Sequence, residues 1–243
     1  MQELLLFWPA LAAGTVVAAT HVPLGVQVLR RGIVFIDLAV AQMAGLGVVL
    51  ASWLGMPPSG AGVQLTALGS ALAGALFFTW TEQRWPEVQE AVIGVAFIVA
   101  ANAAILLLAA NPHGAEHLKD LLTGQVLWVT PAQVAAATVA SAAVLLAWRV
   151  WRSRTGFYVL FACAVTVSVQ LVGMYLVFAS LIVPALATRH VAAGIALCVA
   201  GYAAGLALSV LTDLPAGPLI VCAMVLLALL RVAHASRAIN AAK

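Results

Sequence analysis

Between Leu4 and Leu29 the chain carries no lysine, arginine, aspartate or glutamate, and similar runs recur to its C-terminal end. Such a run has few places to go. About 20 apolar residues in a helix cross the hydrocarbon core of a bilayer. Within that core only helices and closed barrels satisfy their own backbone polar groups. Composition closes off a soluble alternative: 65% of the 243 residues are apolar and 8% are charged, against about 25% charged in a soluble domain. The chain is therefore read as one all-α domain, residues 1–243, forming a polytopic transmembrane helix bundle.

Breakers and charges divide it into about eight spans: Leu4 to Leu29, Ile33 to Leu54, Val63 to Thr81, Ala91 to Ala110, Val126 to Trp148, a span beginning with Phe157 to Val172, Ala192 to Leu211, and Leu219 to Leu230. The first lacks the positive N-terminal region of a secretory signal and is expected to remain as a membrane helix, bent at Pro23. The segment Gly173 to Thr188 is apolar but holds Gly173 and Pro184. It is read as a broken or re-entrant helix that returns the chain to the side it left, which membranes tolerate where protein covers the irregular backbone.

Charge supports that reading. With a re-entrant segment, Arg30, Arg31, Arg84, Arg149, Arg152, Arg154, Arg189, Arg231, Arg237 and Lys243 share one side, and Lys119 alone takes the other. The positive-inside rule then places the N-terminus outside and the C-terminus in the cytoplasm. The net charge of +3 is explained by this orientation and gives no reason to expect nucleic acid. Cys163, Cys198 and Cys222 lie singly in apolar runs and are read as packing residues. Pairs such as Gly69 and Ala73, Ser70 and Gly74, and Gly201 and Gly205 suit close helix approach.

Several segments carry more than a bundle. They are Leu24-Gly25-Val26-Gln27-Val28-Leu29-Arg30-Arg31-Gly32-Ile33-Val34-Phe35-Ile36-Asp37, Glu90-Ala91-Val92-Ile93-Gly94-Val95-Ala96-Phe97, and Leu118-Lys119-Asp120-Leu121-Leu122-Thr123-Gly124-Gln125-Val126-Leu127. Further on come Val172-Gly173-Met174-Tyr175-Leu176-Val177-Phe178-Ala179-Ser180-Leu181-Ile182-Val183-Pro184-Ala185 and Ser209-Val210-Leu211-Thr212-Asp213-Leu214-Pro215-Ala216-Gly217-Pro218. In this order they resemble the signatures of the ABC-3 family, the permease subunits of zinc, manganese and iron importers.

The resemblance implies the permease of an ABC importer in the bacterial inner membrane. Separate ABC ATPase subunits would drive it, an extracytoplasmic metal-binding protein would deliver the ion, and a second permease copy would complete a homodimer. The divalent ion is cargo, with no cofactor bound permanently. The chain itself is expected not to be an enzyme. Its lysines are Lys119, followed by Asp120, and Lys243, so it lacks the Gly-Lys-Ser/Thr of a phosphate-binding loop. Two departures from the family pattern stand out. A histidine often follows the first-signature aspartate by four residues, and here that position is Ala41. The cytoplasmic segment after the fifth span is cut to Arg149-Val150-Trp151-Arg152-Ser153-Arg154-Thr155-Gly156. A siderophore or corrinoid permease, or an orphan protein of the same fold, is the competing reading.

Asp37 leads the candidate residues, because a carboxylate inside a span is costly unless paired, protonated or hydrated. A structural ion pair with Arg30 or Arg31, or a helix cap, is the alternative. His21 lies about nine residues from the Arg30-Arg31 boundary, and a neutral imidazole beside a carboxylate suits zinc or manganese. Antiparallel first and second helices would bring the two to similar depth; a bond from His21 to a neighbouring helix is the alternative. Gln42 lies about 140° from Asp37 around an ideal helix and does not simply replace the absent ligand. Glu90 is a candidate at the exit, with Glu82, Glu87 and Arg84 read as solvated charge balance in a loop. His113, His117 and Asp213 are outer-entrance candidates. By resemblance, Pro184, Arg189 and His190 belong to the segment that couples to the ATPase.

Overall fold

The computed structural model describes residues 2–57, 61–109 and 126–241. In chain order the helices are α1 (Gln2–Arg31), α2 (Ile36–Trp53), α3 (Ala61–Arg84), α4 (Gln89–Leu108), α5 (Pro131–Val150), α6 (Arg154–Val172), α7 (Met174–Ala187), α8 (Val191–Thr212) and α9 (Ala216–Ala241). Short 3-10 turns at Pro86–Val88 and Val126–Trp128 precede α4 and α5. All but α7 are long and apolar enough to cross a bilayer. The chain is a multi-pass membrane protein, with eight such helices among the described residues.

The fifth span needs correction. It begins at Pro131 rather than Val126, because Thr130 accepts from the Gln133 N–H while the Gln133 side chain takes the Thr130 N–H. That reciprocal cap, with proline in the first turn, sets the start of α5. The apolar Val126–Trp128 stretch is spent in the turn before it. Helix α1 continues through both Pro9 and Pro23. Its end is closed by Gly32 N–H to Leu29 and Ile33 N–H to Val28, with Gly32 at positive φ.

The break after α6 lies where the sequence places it. Gly173 donates to the Val169 carbonyl and accepts from Val177, so one residue ends α6 and starts α7. Its φ of 88° and ψ of 161° turn the chain without losing either hydrogen bond. That region is open to glycine and costly for residues with a Cβ. Helix α7 then runs back for 14 residues, about 21 Å. Val172, Gly173 and Met174 are buried, so protein covers the irregular backbone.

Close approaches fix the direction of each helix. A Cβ on Gly25 would strike the Leu181 carbonyl, so α1 and α7 cross with backbones in contact. Gly14 lies under Tyr202 and Gly194 under Val22, which makes α1 and α8 antiparallel. Gly205 and Gly201 receive Ile220 and Met224, which seats α9 beside α8. At one end of the bundle Arg31 and Arg154 both reach Glu82, at 3.5 and 3.2 Å, and Arg231 reaches the Thr188 hydroxyl at 3.4 Å. The ends of α1, α3, α7 and α9 and the starts of α6 and α8 therefore share one basic face.

Candidate functional site

Helix α2 opens on Phe35, whose side chain offers no cap. The cap comes from another helix: the Phe35 N–H donates to Glu90 Oε1 at 3.1 Å. Glu90 stands in the first turn of α4, and its charge complements the positive end of α2. The first turn of α2 holds Asp37, which is fully buried. Neither structural alternative for Asp37 is found: both carboxylate oxygens are buried with no hydrogen-bond partner among the described residues. Ala41 follows one turn later, also buried, and leaves that face without a second ligand.

Gln42 points elsewhere. Its amide nitrogen donates to the Met174 sulfur at 3.7 Å, which ties α2 to the first residue after the break. His21 is fully buried on α1, with Nδ1 3.2 Å from the Val17 carbonyl of its own helix and Nε2 unpartnered. Its face is the one carrying Gly14 and Gly25, seven residues before and four after, which packs on α8 and α7.

Helices α1 and α2 do not pack side by side in the bundle. Helix α1 packs on α7, α8 and α5, and α2 packs on α3 and α4. The interior pair α6–α7 contacts both and stands between them. Among the described residues no group of three or more His, Cys, Asp or Glu is placed to hold a metal ion.

Two of the three acidic residues near α4 are not loop charges. Glu82 sits in the last turn of α3 and Glu90 in the first turn of α4, while Glu87 is exposed in the turn between them. Sequence reasoning missed a buried network beside them. Gln89 Nε2 donates to the Phe78 carbonyl and the Tyr158 hydroxyl at 3.1 and 3.2 Å, and Gln89 Oε1 accepts from Thr81 at 2.9 Å. One amide thereby locks α3, α4 and α6. Its signal in the sequence is faint, a glutamine two residues beyond Glu87 and directly before Glu90.

At the basic face α7 ends at Ala187, and Thr188 is extended. Arg189 and His190 are exposed, forming an elbow before α8, while Pro184 is buried inside α7. Asp213 takes a left-handed conformation as the C-cap of α8, in the tight turn that Pro215 and Gly217 predict. Ser209 closes that turn on the Leu214 carbonyl at 2.7 Å. His113 and His117 lie outside the described residues.

The pattern of the ABC 3 transport family matches residues 3–155 and 147–235. The chain belongs to that family. It is a transport permease rather than an enzyme, and ATP hydrolysis belongs to a separate chain. Among solved structures the permease is similar to a chain of PsaBC from Streptococcus pneumoniae in complex with Fab. That match has 19% identity and a TM-score of 0.73, covering 93% of this chain and 90% of the other. It is also similar to a chain described as a metal-chelate type ABC transporter in an inward-facing conformation. There the identity is 16% and the TM-score 0.51, with 92% and 74% covered. At such identities the likeness shows the fold.

Proposed function

We propose that this permease carries divalent metal ions inward across the bacterial inner membrane, zinc or manganese first and iron next. The observation that carries the reading is Asp37, a carboxylate in the protein interior whose oxygens have no donor. An unpaired buried carboxylate is expensive, and a passing cation offsets that cost. His21 Nε2, also unpartnered, is a second transient ligand. Separate, transient ligands suit transport, since a tight cage would hold the ion. The absence of a histidine at position 41 favours the same arrangement.

The mechanism is alternating access. Asp37 is closed off from solvent in this conformation, so helices must move to expose it. Gly173 is the natural pivot, because it joins α6 to α7 through one residue at positive φ. The exposed elbow at Arg189 and His190, carried by the buried Pro184, is the segment that ATPase subunits push. The basic face is cytoplasmic by the positive-inside rule, which puts the N-terminus outside, the C-terminus inside, and Asp213 toward the delivery protein.

A second copy completes the pathway. The outward positions of α5 include Ala135, Ala136, Thr138, Ala142 and Ala143, small enough for another helix to approach. Those of α4 include Val95, Ile98, Val99, Ile105 and Leu106, which suit lipid.

The reading is tested by ATP-dependent uptake into vesicles holding the permease and its ATPase. Uptake of a free divalent ion that siderophores and corrinoids do not inhibit supports it. Uptake of a chelate that free ions do not inhibit overturns it.

A further inference from the structure

On the basic face, a cavity of about 520 Å³ opens between α1, α5 and the start of α6. Its α1 wall is a single stripe, Ala19, Pro23, Gln27 and Arg31, at four-residue steps over about 18 Å. The stripe changes character along its length, from apolar in the bundle to charged at the helix end. The α5 wall changes in the same direction, from Leu145 through Trp148 to Arg149. Arg152 closes the mouth beside Phe157. The cavity is thus apolar at its inner end and positive at the membrane border.

Two of the three positive charges there are not spent within the protein. Glu82 is the acidic side chain at this end of α1 and α6, and it is held by Arg31 and Arg154. Arg31 also lies over the Phe157 ring, 4.2 Å from its centroid. Arg149 and Arg152 are exposed and have no acidic partner among the described residues. Three guanidinium groups around one mouth repel a divalent cation, so this cavity does not serve as an ion exit. They match a phosphate group, which arginine binds in a fork of parallel hydrogen bonds. Trp148 adds an amphipathic ring at the depth where headgroups meet acyl chains.

We propose that this cavity binds an anionic phospholipid, with the headgroup phosphate at Arg31, Arg149 and Arg152 and an acyl chain along Leu145, Pro23 and Ala19. The lipid fastens the C-terminal end of α1 to α5 and α6. A free phosphate would share the arginines but leave the apolar floor unused.

The test is lipid retention by the full chain in neutral detergent, read by native mass spectrometry after addition of phosphatidylglycerol or phosphatidylcholine. One phosphatidylglycerol is expected to stay bound where phosphatidylcholine washes away. Arg149→Gln with Arg152→Gln is expected to weaken retention about 25-fold, at about fivefold per arginine. Both side chains are exposed, so the variant keeps its fold. Leu145→Trp fills the floor while keeping every arginine, and is expected to reduce retention as well. Equal retention of the two lipids, or unchanged retention in the arginine variant, overturns the proposal. Displacement of phosphatidylglycerol by millimolar inorganic phosphate, with Leu145→Trp neutral, also overturns it in favour of a simple oxyanion site.

Discussion

Helix α6 differs from α4 and α9 in a way that reverses the rule for soluble proteins. The outer pair is the more apolar: the mean hydropathy of its best windows is 2.6 for α4 and 2.3 for α9, against 1.8 for α6. Yet α6 is nearly all buried, exposing only Arg154 and Gln170, while α4 and α9 turn rows of Val, Ile and Leu outward. Lipid tails are as apolar as leucine, so burial in the bundle brings no hydrophobic gain over facing lipid. Close packing and satisfied polar groups hold the interior instead. The interior accordingly carries Tyr158, bonded to Gln89, and Ser180, bonded to the Leu176 carbonyl, with Tyr202 on α8 within 3.1 Å of the Ser180 hydroxyl.

Small changes inside should therefore cost more than larger ones outside. Gly25→Ala has the largest expected effect. Its Cβ meets a backbone carbonyl of α7, and the loss of stability in detergent is about 3 kcal/mol, read as a fall in the unfolding midpoint. Gly94→Ala on α4 meets nothing within 4 Å and is expected to be neutral or slightly stabilising. Equal effects at the two sites would break the comparison. Gly173→Ala comes next, at about 2 kcal/mol for the strain of its φ of 88°, seen as the same midpoint shift with uptake reduced in parallel.

Gln89→Leu sharpens the polar half of the comparison. It strands the Tyr158 hydroxyl in the interior, at about 1–2 kcal/mol, whereas Asn102→Leu on the exposed side of α4 removes only a local bond to Ile98 and leaves the midpoint unchanged. Glu82→Gln is the smallest of the series. The Arg154 side chain is 50% exposed and Arg31 29%, so solvent screens both pairs and less than about 1 kcal/mol is expected. A larger loss would place Glu82 with the interior rather than the surface.

The sequence is most legible where physics leaves one option. Long uncharged runs mark the spans, and the reading that gathers ten basic residues on one side asks for a return stroke after Val172, where Gly173 and α7 lie. Asp37 stands out because a carboxylate within a span demands a reason. The start of α5 was encoded in Thr130, Pro131 and Gln133 but masked by the apolar Val126–Trp128 before it. The partners of α1 were less accessible. Consecutive helices usually lie side by side, but here the α6–α7 pair separates α1 from α2. Nothing in an apolar pattern tells a helix which apolar neighbour it meets. Gly25 marks a close approach without naming Leu181 as the partner.

By the function proposed above, the partnerless carboxylate inside this bundle serves the ion and not the fold. The most direct test is metal uptake by the permease with its ATPase, comparing the natural chain with Asp37→Ala at matched levels of membrane-inserted protein. The account predicts that uptake is abolished while the unfolding midpoint holds or rises, since the variant removes a buried group with no partner. Normal uptake by Asp37→Ala would contradict it.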